Sequence, residues 1–293
     1  MSCSKKLGNG ELLELIAWGR AELLRSGIEE AQEECERTLM KLLGCSRSEI
    51  YLKEHEVIVS GVRERFVTLI EKRLQRIPLA YLLKEADFWQ ETLFVDERCL
   101  IPRPETEIVV EQVVRIFGKD TEKNFSFLDI GTGSGGISIA ILRVFKNALG
   151  TLLDISEGAL EVTRENLKRY GLEMRAKLVR GDLFQPFPSD EKWALIVSNP
   201  PYLSEEDWGG VQEELKFEPR GALDGGKDGL DFYRKIVAAA KAHLSVGGVL
   251  ALEVGQGQAD KVSKWLHEAG YDNIQLFKDH SQVQRVVTAQ RHS

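Results

Sequence analysis

From Phe125 to the C-terminus the sequence alternates between short β-prone runs and longer amphipathic stretches, and this alternation limits the fold more than any other feature. Strand patterns cover 125–130, 149–153, 176–179, 193–197, 248–254, 273–277 and 283–288. Helical patterns cover 136–145, 158–170, 230–244 and 262–269. A strand followed by a helix and another strand returns parallel through a right-handed crossover, so the order predicts an α/β domain with a doubly wound, mostly parallel sheet. Only a few residues join the last two strands. Such a connection is too short for a parallel crossover, so the pair is expected to be antiparallel.

The first 80 residues carry helical spacing only. Leu12, Ile16, Gly19 and Leu23 share one face, with Gly27 able to end the helix; Ile28, Ala31, Cys35, Leu39 and Leu42 repeat the pattern before Gly44. A short element is expected at 48–52, then a longer helix from Val62 to Ile77 that Pro78 terminates. Such stripes bury economically against each other, which predicts an N-terminal helical bundle over 1–80. Phe88 to Val95 is aromatic and β-prone, and Cys99 to Pro102 follows. A β-hairpin linker is expected over 81–114, with the α/β domain over 115–293. Within the linker, Pro104, Glu105, Thr106 and Glu107 open a helix with acids in its first turn, where they complement the helix dipole.

The 293 residues include 43% hydrophobic and 29% charged side chains, enough apolar content for two cores. No run approaches the ~20 apolar residues of a membrane-spanning helix, and the N-terminus does not read as a signal segment. Cys3, Cys35, Cys45 and Cys99 are scattered without a C-x-x-C pair, which argues against a zinc ribbon or a disulfide framework and for a reducing cytoplasm. His55, His243, His267, His280 and His292 lie far apart and read as surface residues; no metal site is expected. The net charge of −7, with 14 basic and 15 acidic residues in 1–87, leaves no basic arm for nucleic acid.

Three constellations carry chemistry. Asp129-Ile130-Gly131-Thr132-Gly133-Ser134-Gly135-Gly136 follows the first strand, where glycines let the backbone turn tightly and approach a ligand. The glycine spacing alone also suits a dinucleotide. Asp129 shifts the balance: a carboxylate there suits a ligand with a cationic end, such as the amino group of S-adenosylmethionine. Asp154 ends the next strand, where an acid accepts from ribose hydroxyls. Asp182 ends the third, where an acid accepts from an adenine amino group while Leu183 or Phe184 covers the ring. The sharpest signal is Asn199-Pro200-Pro201-Tyr202, directly after a strand. Two prolines remove competing donors. The Asn199 side-chain oxygen and the Pro200 carbonyl then suit both hydrogens of a planar –NH2 group, and Tyr202 offers a ring to stack on it. Gripping those hydrogens aims the nitrogen lone pair at a methyl sulfonium, so catalysis would be positioning and electrostatics.

At these residues the chain resembles the class I methyltransferases that act on planar nitrogens, on the adenine of DNA or on protein glutamine. Leu100-Ile101-Pro102-Arg103-Pro104-Glu105-Thr106-Glu107 resembles the signature of the peptide chain release factor glutamine methyltransferases. So do Pro78-Leu79-Ala80-Tyr81, Phe88-Trp89, Phe217-Glu218-Pro219-Arg220 and Leu223-Asp224-Gly225-Gly226. The resemblance spans about the whole chain. It implies the class I methyltransferase fold, with S-adenosylmethionine at Asp129, Gly131, Thr132, Gly133, Ser134, Gly135, Asp154, Asp182, Leu183 and Asn199. It also implies an amide pocket of Asn199, Pro200, Pro201 and Tyr202, and as substrate the glutamine of a Gly-Gly-Gln loop in release factors. A sister family acts on a ribosomal protein and carries Pro-Arg-Ser-Pro in the linker, which Pro102-Arg103-Pro104-Glu105 does not match. A DNA adenine methyltransferase would want a basic DNA-reading domain. A dehydrogenase leaves Asn199-Pro200-Pro201-Tyr202 unexplained, and intact acids argue against a non-catalytic binding module.

Overall fold

The computed structural model describes residues 12–52, 60–118 and 120–292, and the chain forms two compact units, Met1–Lys84 and Glu85–Ser293. Cys3 and His55 lie outside the described residues.

In the first unit the helices are α1 (Leu12–Arg25), α2 (Ala31–Leu43), α3 (Arg47–Leu52), α4 (Ser60–Arg73) and α5 (Leu79–Leu83). The apolar stripes meet in a core of Leu15, Leu23, Cys35, Leu39, Phe66 and Ile70. Each large side chain fully withdrawn from water contributes ~1.5–3 kcal/mol. Gly19 lets helices close: a Cβ there would stand 2.9 Å from Cys35 Sγ and 3.0 Å from Phe66. The long helix stops before the expected proline. It ends at Arg73, and Arg76 turns the chain with φ 68°. Pro78, with φ −54°, starts α5 instead of ending α4, because its ring fixes a φ that suits a helix start.

The second unit opens with β1 (Ala86–Phe88) and β2 (Glu91–Leu93), paired antiparallel. The expected hairpin is therefore shorter than its aromatic run. Trp89 takes φ 58° and reverses the chain, and Cys99–Pro102 stays irregular because the Ile101 N–H donates to the Glu218 carboxylate at 2.9 Å, not to a strand. A 3-10 turn, Pro104–Thr106, leads into α6 (Glu107–Phe117). Then follow β3 (Ser126–Ile130), α7 (Gly136–Val144), β4 (Leu149–Asp154), α8 (Glu157–Arg169), β5 (Ala176–Arg180), β6 (Trp193–Ser198), α9 (Asp231–His243), β7 (Leu244–Glu253), α10 (Ala259–Glu268), β8 (Tyr271–Lys278) and β9 (Gln284–Arg291).

The seven-stranded sheet runs β5-β4-β3-β6-β7-β9-β8, with β3 to β7 parallel and β9 antiparallel to both neighbours. This is the doubly wound sheet with a reversed final strand that the sequence order predicts. The chain leaves β3 toward β4 on one side and later returns as β6 on the other. That switch opens a crevice at the carboxyl ends of β3 and β6. The buried side of the sheet packs Leu128, Ile196, Tyr233, Leu250 and Leu252. His243 belongs to this core, not to the surface: it is 7% exposed, and its ring stacks on Phe184 at 4.9 Å.

Candidate active site at the carboxyl edge of the sheet

The glycine turn sits at the end of β3. Gly131, Gly133 and Gly135 have φ of 74°, 57° and 85°, a region that an L side chain rarely enters. A Cβ on Gly131 would meet nothing within 4 Å, and one on Gly133 only the Gly131 carbonyl at 4.0 Å. Their outer face is thus an open cradle. A Cβ on Gly136 would meet Phe88 at 3.1 Å and Leu93 at 3.3 Å, so this glycine admits the hairpin. Asn166 ties the two together, exchanging hydrogen bonds with the Phe94 backbone and donating to the Ser134 carbonyl at 2.9 Å.

Two carboxylates flank the turn. Asp129 is 1% exposed; its Oδ2 accepts from Thr132 at 2.9 Å and Ser138 at 2.6 Å, and its Oδ1 has no partner among the described residues. Burial pushes its pKa up to about 6, with the Asp154 charge adding to the rise. Asp154 accepts from the Gly133 N–H at 2.9 Å and the Ser156 N–H at 2.9 Å, and burial raises its pKa as well. Both acids are thus held in a site that penalises negative charge, and a cationic group above the cradle would relieve both.

The Gly181 N–H donates to the Asp154 carbonyl at 3.0 Å, which brings the Asp182 segment to the same edge. Asp182 accepts from Gln185 at 3.0 Å. Leu183 takes φ 50° and is half-buried, whereas Phe184 is 8% exposed and committed to the core against His243. Of the two, Leu183 is the less buried, though it too packs against the core.

Asn199 and Tyr202 line a second cleft, together with Leu100, Arg103, Leu203 and Leu223. Pro200 is buried and Pro201 half-buried between them. The Asn199 Nδ2 donates to Thr106 Oγ1 at 3.1 Å. Glu218 receives both the Ile101 N–H and the Arg103 guanidinium, fastening the 100–103 segment over the cleft. Gln258 secures the Tyr202 loop from behind: its Nε2 donates to the Tyr202 carbonyl at 2.9 Å and the Gly229 carbonyl at 3.2 Å, while its Oε1 accepts from the Gly255 N–H at 3.0 Å. Leu203 bridges to Asp224, and a Cβ on Gly225 would come within 2.8 Å of the Tyr202 backbone, so the glycines after Leu223 let this segment lie flat on the loop. Desolvation and the nearby Glu253 push the Tyr202 phenol up to about 12, so it stays protonated. The Ser198 hydroxyl, donating to the Ile130 carbonyl at 2.7 Å, joins this cleft's strand to the cradle's strand.

A model of the PrmC N-terminal domain matches residues 14–83, and one of the methyltransferase small domain matches 108–216. A Geobacter sulfurreducens protein named release factor glutamine methyltransferase is 36% identical, covering 93% of this chain and 94% of its own length. A Bacillus cereus protein of the same name is 35% identical over 94% of this chain and 98% of its own. The chain belongs to the release factor glutamine methyltransferase family. A solved methyltransferase from Pyrococcus furiosus, 19% identical, superposes with a TM-score of 0.51 over 69% of this chain and 89% of its own, and shares the fold.

Membership in this family implies S-adenosylmethionine as methyl donor, and the residues present fit it: an open glycine cradle, two flanking acids and a buried carboxylate oxygen without a donor. Among the described residues no cluster of His, Cys, Asp and Glu could hold a metal ion, and no helix is long and apolar enough to cross a membrane. Among the described residues, Cys35, Cys45 and Cys99 form no disulfide with one another.

Several residues around this candidate site escaped the sequence reading. Ile155, next to Asp154, is 67% exposed, an unusual position for a large apolar side chain at the ligand edge. Thr106 stood among acids that already explained a helix start. Glu253, at the end of β7, is 1% exposed. Exposed apolar and buried charged side chains are visible only once the fold is known.

Proposed function

We propose that this protein transfers a methyl group from S-adenosylmethionine to the side-chain amide nitrogen of the glutamine in the Gly-Gly-Gln loop of peptide chain release factors. Bound at the cradle, the donor supplies an electrophilic methyl on a sulfonium centre. Gly131 to Gly135, with Asp129, hold its amino-acid end. Asp154 accepts from its ribose, and Asp182 from its adenine amino group, with Leu183 and Ile155 covering the ring. Asn199 Oδ1 and the Pro200 carbonyl accept the two hydrogens of the glutamine amide, and Tyr202 stacks on its plane. No base is needed before attack: as the N–CH3 bond formed, the S–CH3 bond would break to leave S-adenosylhomocysteine, and the nitrogen would then release one proton to solvent; what these residues provide is alignment and stabilisation of the positive charge that develops on nitrogen.

The observation that carries this proposal is the juxtaposition of Asn199 and Tyr202 in one cleft just after β6, the strand beside the cradle's own β3. The N-terminal unit would select the partner protein, since a single loop buries far less than the ~1,200 Å² of a stable interface. A release factor substrate would also place the protein in the cytoplasm, without contact to nucleic acid or membrane. Radiolabelled methyl transfer to purified release factor, ribosomal protein and DNA tests the proposal. Label is expected on release factor glutamine; label on either alternative, or on none, would overturn it.

A further inference from the structure

From α8 two side chains reach the glycine cradle without facing its open side. Thr163 and Asn166 stand about one helical turn apart, and each is 0% exposed. The Thr163 hydroxyl donates to the Gly133 carbonyl at 2.8 Å, and the Asn166 Nδ2 donates to the Ser134 carbonyl at 2.9 Å. Two successive carbonyls of the turn are thus drawn toward the same helix. Asn166 is itself anchored on the Phe94 backbone, accepting from its N–H at 2.7 Å and donating to its carbonyl at 2.8 Å.

In a planar trans peptide the N–H points opposite to the carbonyl it is joined to, and the described peptide bonds are trans. The Gly133 carbonyl faces Thr163, so the Ser134 N–H points away from α8. That N–H is spare. The N–H groups of Gly131 and Thr132 go to the Leu153 carbonyl at 2.8 and 3.0 Å, that of Gly133 to Asp154 at 2.9 Å, and that of Gly135 to the Thr132 carbonyl at 2.8 Å. The N–H of Ser134 alone in this turn has no partner among the described residues. Ser134 is 5% exposed, and a buried N–H without an acceptor is rare in a folded chain. Helix α7 begins two residues later, so the partial positive charge of its first turn gathers at the same place.

The methyl donor proposed for this cradle brings an ammonium, a carboxylate and a ribose. Asp129 and Asp154 suit the ammonium and the ribose hydroxyls, but they repel the carboxylate, which needs an N–H. We infer that Thr163, backed by Asn166, is a positioning residue for the methyl donor: it turns the Gly133–Ser134 peptide so that the Ser134 N–H receives the donor's α-carboxylate. This deepens the function proposed above and rests on S-adenosylmethionine being the donor. A turn free to flip that peptide would present the Gly133 carbonyl instead, setting an acceptor against an anion.

The test compares, by calorimetry on the full-length protein, the binding of S-adenosylmethionine with that of decarboxylated S-adenosylmethionine, which keeps the ammonium and the sulfonium. Thr163→Val keeps the shape that packs against Gly135, where a Cβ would stand 3.0 Å from Thr163 Cγ2, but removes the hydroxyl. Thr163→Ser keeps the hydroxyl and removes that methyl. Wild type should prefer the carboxylated ligand by ~10-fold or more, the scale of one charge-assisted hydrogen bond. Thr163→Val should weaken S-adenosylmethionine by ~5- to 10-fold and leave the decarboxylated ligand within about twofold, so that most of the preference disappears. Thr163→Ser should retain the preference. Wild type that binds neither ligand would sink the donor assignment itself. With S-adenosylmethionine bound, equal wild-type affinity for the two ligands would overturn the carboxylate contact. Equal weakening of both ligands in Thr163→Val, or a loss in Thr163→Ser as large as in Thr163→Val, would show that α8 merely packs against the turn and would overturn the positioning role.

Discussion

The cradle and the cleft lie at the ends of neighbouring strands, yet they are built by opposite means. The cradle is local. Thr132 and Ser138 bond an aspartate three and nine residues before them, and Gly133 bonds one 21 residues on. The cleft is assembled from distant pieces: Asn199 and Thr106 are 93 residues apart, and Ile101 and Glu218 are 117 apart. A local site forms once its strand and turn form. A long-range site requires the whole sheet to close first, and each of its bonds carries the loop-closure entropy of the intervening chain. Donor binding and amide positioning should therefore be separable by mutation.

The largest expected effect is at Asn199. Asn199→Ala should cut the single-turnover methyl-transfer rate by ~100-fold or more, as loss of one preorganised polar contact does in other catalytic sites. Affinity for S-adenosylmethionine should change little. If calorimetry shows donor binding collapsing with the rate, the two regions are one unit and the contrast fails.

Next is Asp129, where the contrast appears as stability. Its native pKa of about 6 lies above the ordinary 3.8, so the ionised form is disfavoured by folding. The penalty is absent below the unfolded value, grows as pH rises, and is complete above the native value. Asp129→Asn should therefore be more stable than wild type near pH 8 by on the order of 2–3 kcal/mol. That advantage should fade as pH falls toward about 4. Denaturant melts of the two proteins at several pH values check both sign and window, and a constant gap at all pH values would show that Asp129 carries no burial penalty. The same variant should bind S-adenosylmethionine more weakly, which is why the acid is kept.

The smallest effect is at Asp154. Asp154→Ala should weaken donor binding by ~1–3 kcal/mol through lost charge-assisted hydrogen bonds. At saturating donor its kcat should approach wild type, because the cleft is untouched. A depressed kcat that saturation does not rescue would mean that the cradle also sets the cleft's geometry.

The same division explains what could be read in the sequence. The strand and helix alternation, the reversed last strand, the glycine turn and Asn199-Pro200-Pro201-Tyr202 are short-range patterns with a periodic or turn signature, and the structure bears out the sheet they predict. The pairing of Thr106 with Asn199 and of Glu218 with the 100–103 segment left no such trace, because a bond across about a hundred residues has no period. The 3-10 turns Asp207–Gly209, Glu213–Phe217 and Arg220–Ala222 were missed for a related reason. Short 3-10 pieces bury no continuous stripe, so the hydrophobic pattern does not announce them. Phe184 shows the limit of neighbour-based inference. It stands two residues after Asp182, in reach of a role beside that acid, yet its ring is drawn into the core by His243.

Gln258 carries a further consequence. Its amide nitrogen is held by two carbonyls, those of Tyr202 and Gly229, which is the same two-point grip proposed for the substrate. The molecule thus holds one of its own amides in the way proposed for the substrate amide. A Cβ on Gly229 would come within 2.7 Å of that nitrogen, so the Gly229 backbone lies close against this amide. Holding an amide by both hydrogens is therefore not what makes it react. On the function proposed above, selectivity between the two amides would reside in which of them keeps a face open to the methyl donor.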